Sequence, residues 1–141
     1  MTGGGLPDVA QINAFIRKSA FNRWLGIEVT HADASEARLR IPWRPELGGA
    51  PGMTHGGIFA VIVDVAAFAA IYAASGSLGP TVDMRVDFHA NAPGGELLAI
   101  ARTLRAGKTI LTGEVSIYDE RKRLLASGRG VYFNKSGHLD V

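Results

Sequence analysis

The sequence predicts an α+β domain in which one long buried helix packs against a mostly antiparallel sheet. Three observations carry this. Between Ile58 and Ala74 the only residue that is not apolar is Asp64, and a run so uniformly apolar reads as a helix buried on most sides. Around it the chain alternates apolar and polar residues with the period of a strand, most cleanly from Thr81 to His89. The later strand-like stretches are joined by short turns, which antiparallel neighbours allow and parallel ones do not.

Taken in order, residues 1–7 read as a flexible arm, 8–134 as a single domain and 135–141 as a tail. From Asp8, an N-cap residue type, Val9, Ile12, Phe15 and Ile16 recur at helical spacing, which predicts a short amphipathic helix to Ser19 or Phe21. Asn22-Arg23 leads into a strand from Leu25 to His31, interrupted by Gly26. After the Asp33–Ser35 turn, Ala37, Leu39, Ile41 and Trp43 alternate with Glu36, Arg38, Arg40 and Pro42, a half-buried strand. Arg44 to Gly52 is a loop rich in Gly and Pro. Beyond the long helix come strands over Thr81–His89, Leu97–Arg105, Thr109–Tyr118 and Leu124–Phe133, with Gly128 and Gly130 leaving room for the helix or a ligand. A membrane span is the rival reading of the long helix. Its length is at the short limit, it is rich in Ala, and it carries a carboxylate near its centre, all of which favour a core helix.

Composition excludes several functions. At 141 residues with 47% hydrophobic and 20% charged residues, the chain is an ordinary single globular domain. A net charge of +2 is too small to argue for nucleic acid. The absence of cysteine removes disulfides, thiolate catalysis and Cys-ligated metal sites. Met1 to Gly5 lacks the layout of a signal peptide, so a cytoplasmic protein without a membrane partner is expected. There is no phosphate-binding GxxxxGK[ST] and no strand-linked GxGxxG. His31, His89 and His138 stand apart and read as surface residues, and Ser75, Ser77 and Ser116 lack a nucleophile-elbow context.

What remains is chemical. His55, Gly56 and Gly57 open the long helix. Glycines there supply bare backbone N–H groups at the positive end of a helix, the donors that a developing oxyanion needs. Asp64, a carboxylate in an apolar helix, is costly to bury unless paired or used. Eight residues separate Gly56 from Asp64, roughly 12 Å along a straight helix, whereas reacting atoms approach within about 3.5 Å. If both groups act on one substrate they come from different chains, which points to a symmetric dimer with composite sites.

The arrangement Gly52-Met53-Thr54-His55-Gly56-Gly57 with Asp64 nine residues after the histidine resembles the hotdog-fold thioesterases of the phenylacetate-degradation type. The resemblance includes Phe21 to Val29, Thr81 to Phe88, Ala106 to Thr109 and Leu124 to Gly130, and spans residues 10–134. It implies a long central helix wrapped by a curved antiparallel sheet, dimers joined edge to edge and often paired again, and hydrolysis of acyl-coenzyme A without a metal or other cofactor. By position it makes Gly56 the N–H donor to the thioester carbonyl, His55 the residue that shapes the turn, and Asp64 the nucleophile or general base supplied by the partner chain. It makes Thr81 a residue that helps hold water, and places Gly57, Gly49 and Phe68 at the substrate. Many members carry Asn or Gln six residues before the histidine, where this chain has Gly49; Arg44 or Glu46 could reach into that place. Lys108, Arg105 and Arg129 are candidates for the coenzyme A phosphates.

Overall fold

The structure, a computed structural model, describes residues 5–136. Helix α1 (Val9–Ile16) starts as expected, with Asp8 and Gln11 in a reciprocal capping box. It stops three residues earlier than the periodicity predicts, because the Ser19 side chain accepts from the Asn22 N–H and restarts the chain as α2 (Ala20–Leu25). Gly26, at φ +76°, closes α2 in the left-handed region. The first strand therefore begins at Glu28, not at Leu25, and Asn22-Arg23 is helical. Strands β1 (Glu28–Ala32) and β2 (Ala37–Ile41) form a hairpin, and a short 3-10 turn over Pro45–Leu47 sits in the following loop. Trp43 lies beyond β2, its indole N–H donating to the Thr54 hydroxyl.

Helix α3 (Gly56–Ser75) is followed by β3 (Thr81–Phe88), β4 (Leu97–Ala106), β5 (Ile110–Tyr118) and β6 (Leu124–Phe133). All neighbouring strands are antiparallel in the order β1-β2-β4-β5-β6-β3, so β3 crosses over to an edge beside β6. By length and composition α3 passes as a membrane span, with mean hydropathy 2.2. In the fold its apolar surroundings come from the sheet: Ile62, Val63, Ala66, Ala67, Ala70 and Ile71 are all buried. Small residues on both sides let helix and sheet approach. A Cβ at Gly128 would meet Val63 at 2.8 Å and one at Gly113 would meet Ala67 at 3.2 Å, so the room expected at Gly128 is occupied by the helix.

The two sheet edges differ. At β1 the buried Asn13 carboxamide donates to the Val29 carbonyl and accepts from the Val29 N–H, both at 2.9 Å, so α1 occupies that edge. At β3 no strand covers the outer side among the described residues, and Val82, Met84 and Phe88 are exposed.

Candidate active site

The entry to α3 is held by backbone bonds. The His55 N–H donates to the Leu47 carbonyl, the Thr54 N–H to Ala92 and the Gly49 N–H to Met53. His55 is the N-cap: its Nδ1 accepts from the Gly57 N–H at 3.0 Å and its carbonyl from the Ile58 N–H. Gly57 is thus engaged in the cap, and a Cβ there would stand 3.3 Å from His55 Nδ1. The Gly56 N–H has no partner among the described residues. Gly56 is exposed, at the end of the helix where the macrodipole is positive.

Gly49 is packed against this turn. A Cβ at that position would lie 3.0 Å from the His55 Cα and 3.3 Å from its Cβ. A side chain of the kind carried there by the resembled family has to displace His55. Arg44 does not reach that place in this structure: its guanidinium lies over the Trp24 ring at 3.8 Å and donates to the Trp24 carbonyl. Glu46 is exposed in the 3-10 turn.

Asp64 sits on the half-buried face of α3, and the helix is continuous from Gly56 past it. Its Oδ1 accepts from the Thr81 hydroxyl at 2.7 Å. Both line a cavity of about 420 Å³ whose apolar wall is Phe15, Ile16, Val65, Phe68 and Tyr132, with Lys18, Ser19 and Asn22 at the α1–α2 side. Phe68 stacks on Phe15 at 5.3 Å between ring centroids. Asp64, Thr81 and Phe68 are therefore brought together at this cavity, while Gly56, Gly57, His55 and Gly49 form a separate group at the other end of β3. Phe88, the last residue of β3, lies against Gly56 and edge-on to Phe59.

The phosphate candidates lie elsewhere. Lys108 and Arg105 are exposed at the β4–β5 turn, and Arg129 lines a groove on the outer sheet face with Arg85 and Arg102. The cation beside the cavity is Lys18, which stands over the Phe15 ring at 5.1 Å. His31 and His89 are exposed as expected, though each has a partner, Asp33 and Ser127; His138 lies outside the described residues. Several cavity residues escaped the sequence reading, Phe15 and Tyr132 among them. Phe15 is read there as one of the apolar residues at helical spacing in the first helix. Tyr132, whose hydroxyl donates to the Asp64 backbone carbonyl at 2.5 Å, had only its same-face neighbours Gly128 and Gly130 as a signal.

Comparison with known proteins decides the family. A model of the thioesterase superfamily matches residues 51–126, from the loop before the entry turn into β6. The chain belongs to this superfamily. A Halobacterium salinarum relative, which carries only a provisional esterase name, is 32% identical over 94% of this chain and 96% of its own length. The Escherichia coli medium/long-chain acyl-CoA thioesterase YigI is 27% identical over 84% of this chain and 87% of its own. Among solved structures, a bacterial protein of the thioesterase superfamily superposes with TM-score 0.85 at 38% identity, covering 89% of this chain and 96% of that one. Zebrafish thioesterase superfamily member 2 superposes at 0.81 and 25% identity, covering 91% and 99%. The fold is the hotdog fold of the superfamily, and thioester hydrolysis is its class of chemistry.

Proposed function

We propose that this thioesterase hydrolyses an acyl-coenzyme A to the free acid and coenzyme A, at sites each shared by two protomers of a two-fold dimer. The observation that carries the shared site is the course of β3. The strand begins at Asp64, through Thr81, and ends at the entry turn, through Phe88. Its outer edge is unpaired and bears exposed Val82, Met84 and Phe88. Two such strands paired antiparallel about a two-fold axis put the Thr81 end of one beside the Phe88 end of the other. Asp64 of one protomer then meets the Gly56 turn of its partner, whereas within a protomer the unbroken helix holds them roughly 12 Å apart.

At each site the Gly56 N–H donates to the thioester carbonyl oxygen, which gains charge as the carbon becomes tetrahedral. The Asp64 carboxylate attacks that carbon, leaving an acyl–aspartyl anhydride that water then opens to the free acid, or it takes the proton of a water that attacks directly; both roles place it within reach of the same atom. Thr81 orients the carboxylate and its water. The departing thiolate takes up a proton as coenzyme A. The acyl group, aryl or medium to long chain, lies along Phe15 and Phe68 in the cavity beside Asp64. No metal or added cofactor is needed, the dimers pair again into tetramers, and the setting is the cytoplasm. The name of the Escherichia coli relative supports an acyl-CoA substrate.

A second reading, an acyl-CoA binder without turnover, is favoured by Gly49, which lacks a polar side chain and at which a Cβ would stand only 3.0 Å from the His55 Cα. A panel of aryl- and fatty-acyl-CoA thioesters, followed by release of free thiol, separates the two. Turnover well above the buffer rate on some member of the panel is expected. Tight binding with hydrolysis no faster than in buffer would leave the binder reading in its place.

A further inference from the structure

Thr81 and Tyr132 are direct cross-strand partners on β3 and β6, and both reach the same residue. Thr81 donates to the Asp64 carboxylate at 2.7 Å, and Tyr132 donates to the Asp64 main-chain carbonyl at 2.5 Å. In a regular helix that carbonyl is the acceptor for the Phe68 N–H, and here the Tyr132 hydroxyl reaches it as well. The tyrosine hydroxyl therefore enters the backbone ladder of α3 at the turn that begins with Asp64.

The ring and its hydroxyl are closely packed there. Tyr132 is 2% exposed, its ring meets Phe68 edge-on, and a Cβ at Gly130 would stand 2.5 Å from the hydroxyl oxygen. Glycine at 130 is what leaves the space. Burial, reinforced by the nearby Asp64 charge, pushes the phenol far above its ordinary pKa, so it remains a donor. A buried tyrosine hydroxyl needs some acceptor, and any carbonyl would satisfy it. This one takes the carbonyl of the residue whose side chain its cross-strand neighbour grips.

We infer that Tyr132 is a positioning residue for Asp64, clamping the main chain while Thr81 holds the side chain, so that α3 presents the carboxylate to the cavity at one fixed rotation. The kinetic consequence rests on the thioesterase function proposed above; the geometric one does not.

Tyr132→Phe keeps the ring and removes the hydroxyl. The expected result is a kcat lowered roughly 10- to 100-fold, the scale of a displacement of about 1 Å at a reacting group, with KM within twofold. The crystal structure of the variant should have the Thr81–Asp64 hydrogen bond broken and the carboxylate turned. Gly130→Ala, which keeps the hydroxyl but pushes it aside, should give the same split between kcat and KM, and it decides the matter should Tyr132→Phe not fold. A kcat within twofold of wild type with the carboxylate in place overturns the inference. So does a KM that rises in step with lost turnover, which marks a residue that only lines the cavity. If the wild type hydrolyses no thioester, the functional reading fails, and the Asp64 rotamer in the variant crystal still decides the clamp.

Discussion

At one edge of the sheet, β1 is closed by a side chain of its own chain; at the other, β3 is left open. Asn13 gives β1 both hydrogen bonds of a missing strand neighbour, while β3 exposes Val82 at 55% and Phe88 at 61% along an unpaired edge. Folded proteins ordinarily protect strand edges, and one edge here is protected. The contrast singles out β3 as the edge for the proposed dimer, and both groups proposed for chemistry lie along it. Changes along β3 should therefore cost turnover, and changes at β1 should cost stability.

The largest effect belongs to the carboxylate reached from the Thr81 end of β3. Asp64→Asn keeps the shape and loses basicity and nucleophilicity, and a fall of roughly 10²- to 10⁴-fold in thiol release is expected, with an unchanged circular dichroism spectrum. Activity within a few-fold of wild type would remove Asp64 from the mechanism. Gly56→Pro, at the other end of β3, deletes the free N–H and should cost about 10²- to 10³-fold, again with the fold checked by circular dichroism.

Together these two variants test whether the open edge joins protomers. Unfolded and refolded as an equal mixture, half of the dimers carry one chain of each kind, and each mixed dimer has one site with both groups intact. Activity should return to roughly a quarter of wild type per chain. With both groups drawn from one chain, every site would be defective. No recovery in the presence of demonstrated heterodimers rejects the shared site.

A charge on the open edge sharpens the comparison further. Val82→Lys should shift the dimer toward monomer in light scattering and lower turnover about 10-fold at low micromolar protein, since lysine is a residue that natural edges use against pairing. A variant that stays dimeric and fully active would place the interface elsewhere. The smallest effect on turnover is expected at the closed edge. Asn13→Leu strips β1 of both bonds and should cost about 1–3 kcal/mol in denaturant unfolding, the range for stranded buried polar groups, while thiol release stays within twofold.

Local pattern was a good guide wherever several residues in a row repeat the same signal. The long helix, the strand at Thr81–His89 and the last three strands lie close to their expected places, because period and turn residues are local signals. The break between α1 and α2 was missed since one hydroxyl, on Ser19, decides it, against an apolar spacing that continues through Phe21. The pairing of Asp64 with Thr81 spans 17 residues and depends on β3 crossing to the sheet edge. Tyr132, 68 residues from Asp64, gave no signal beyond its same-face glycines, because a tyrosine alternating with glycines reads as an ordinary buried strand residue.

By itself the sequence determined the fold class, the glycine turn, the lone carboxylate and the distance along the helix that keeps those two groups apart. Each follows from residue type and spacing along one chain. Only the tertiary structure decided what holds Asp64, that Gly49 is packed against His55, that Lys108 and Arg129 lie away from the cavity, and which sheet edge is open. The reason is physical: hydrogen bonds such as Tyr132 to Asp64, and contacts such as Gly128 to Val63, form between segments that only the packing of α3 on the sheet brings within reach.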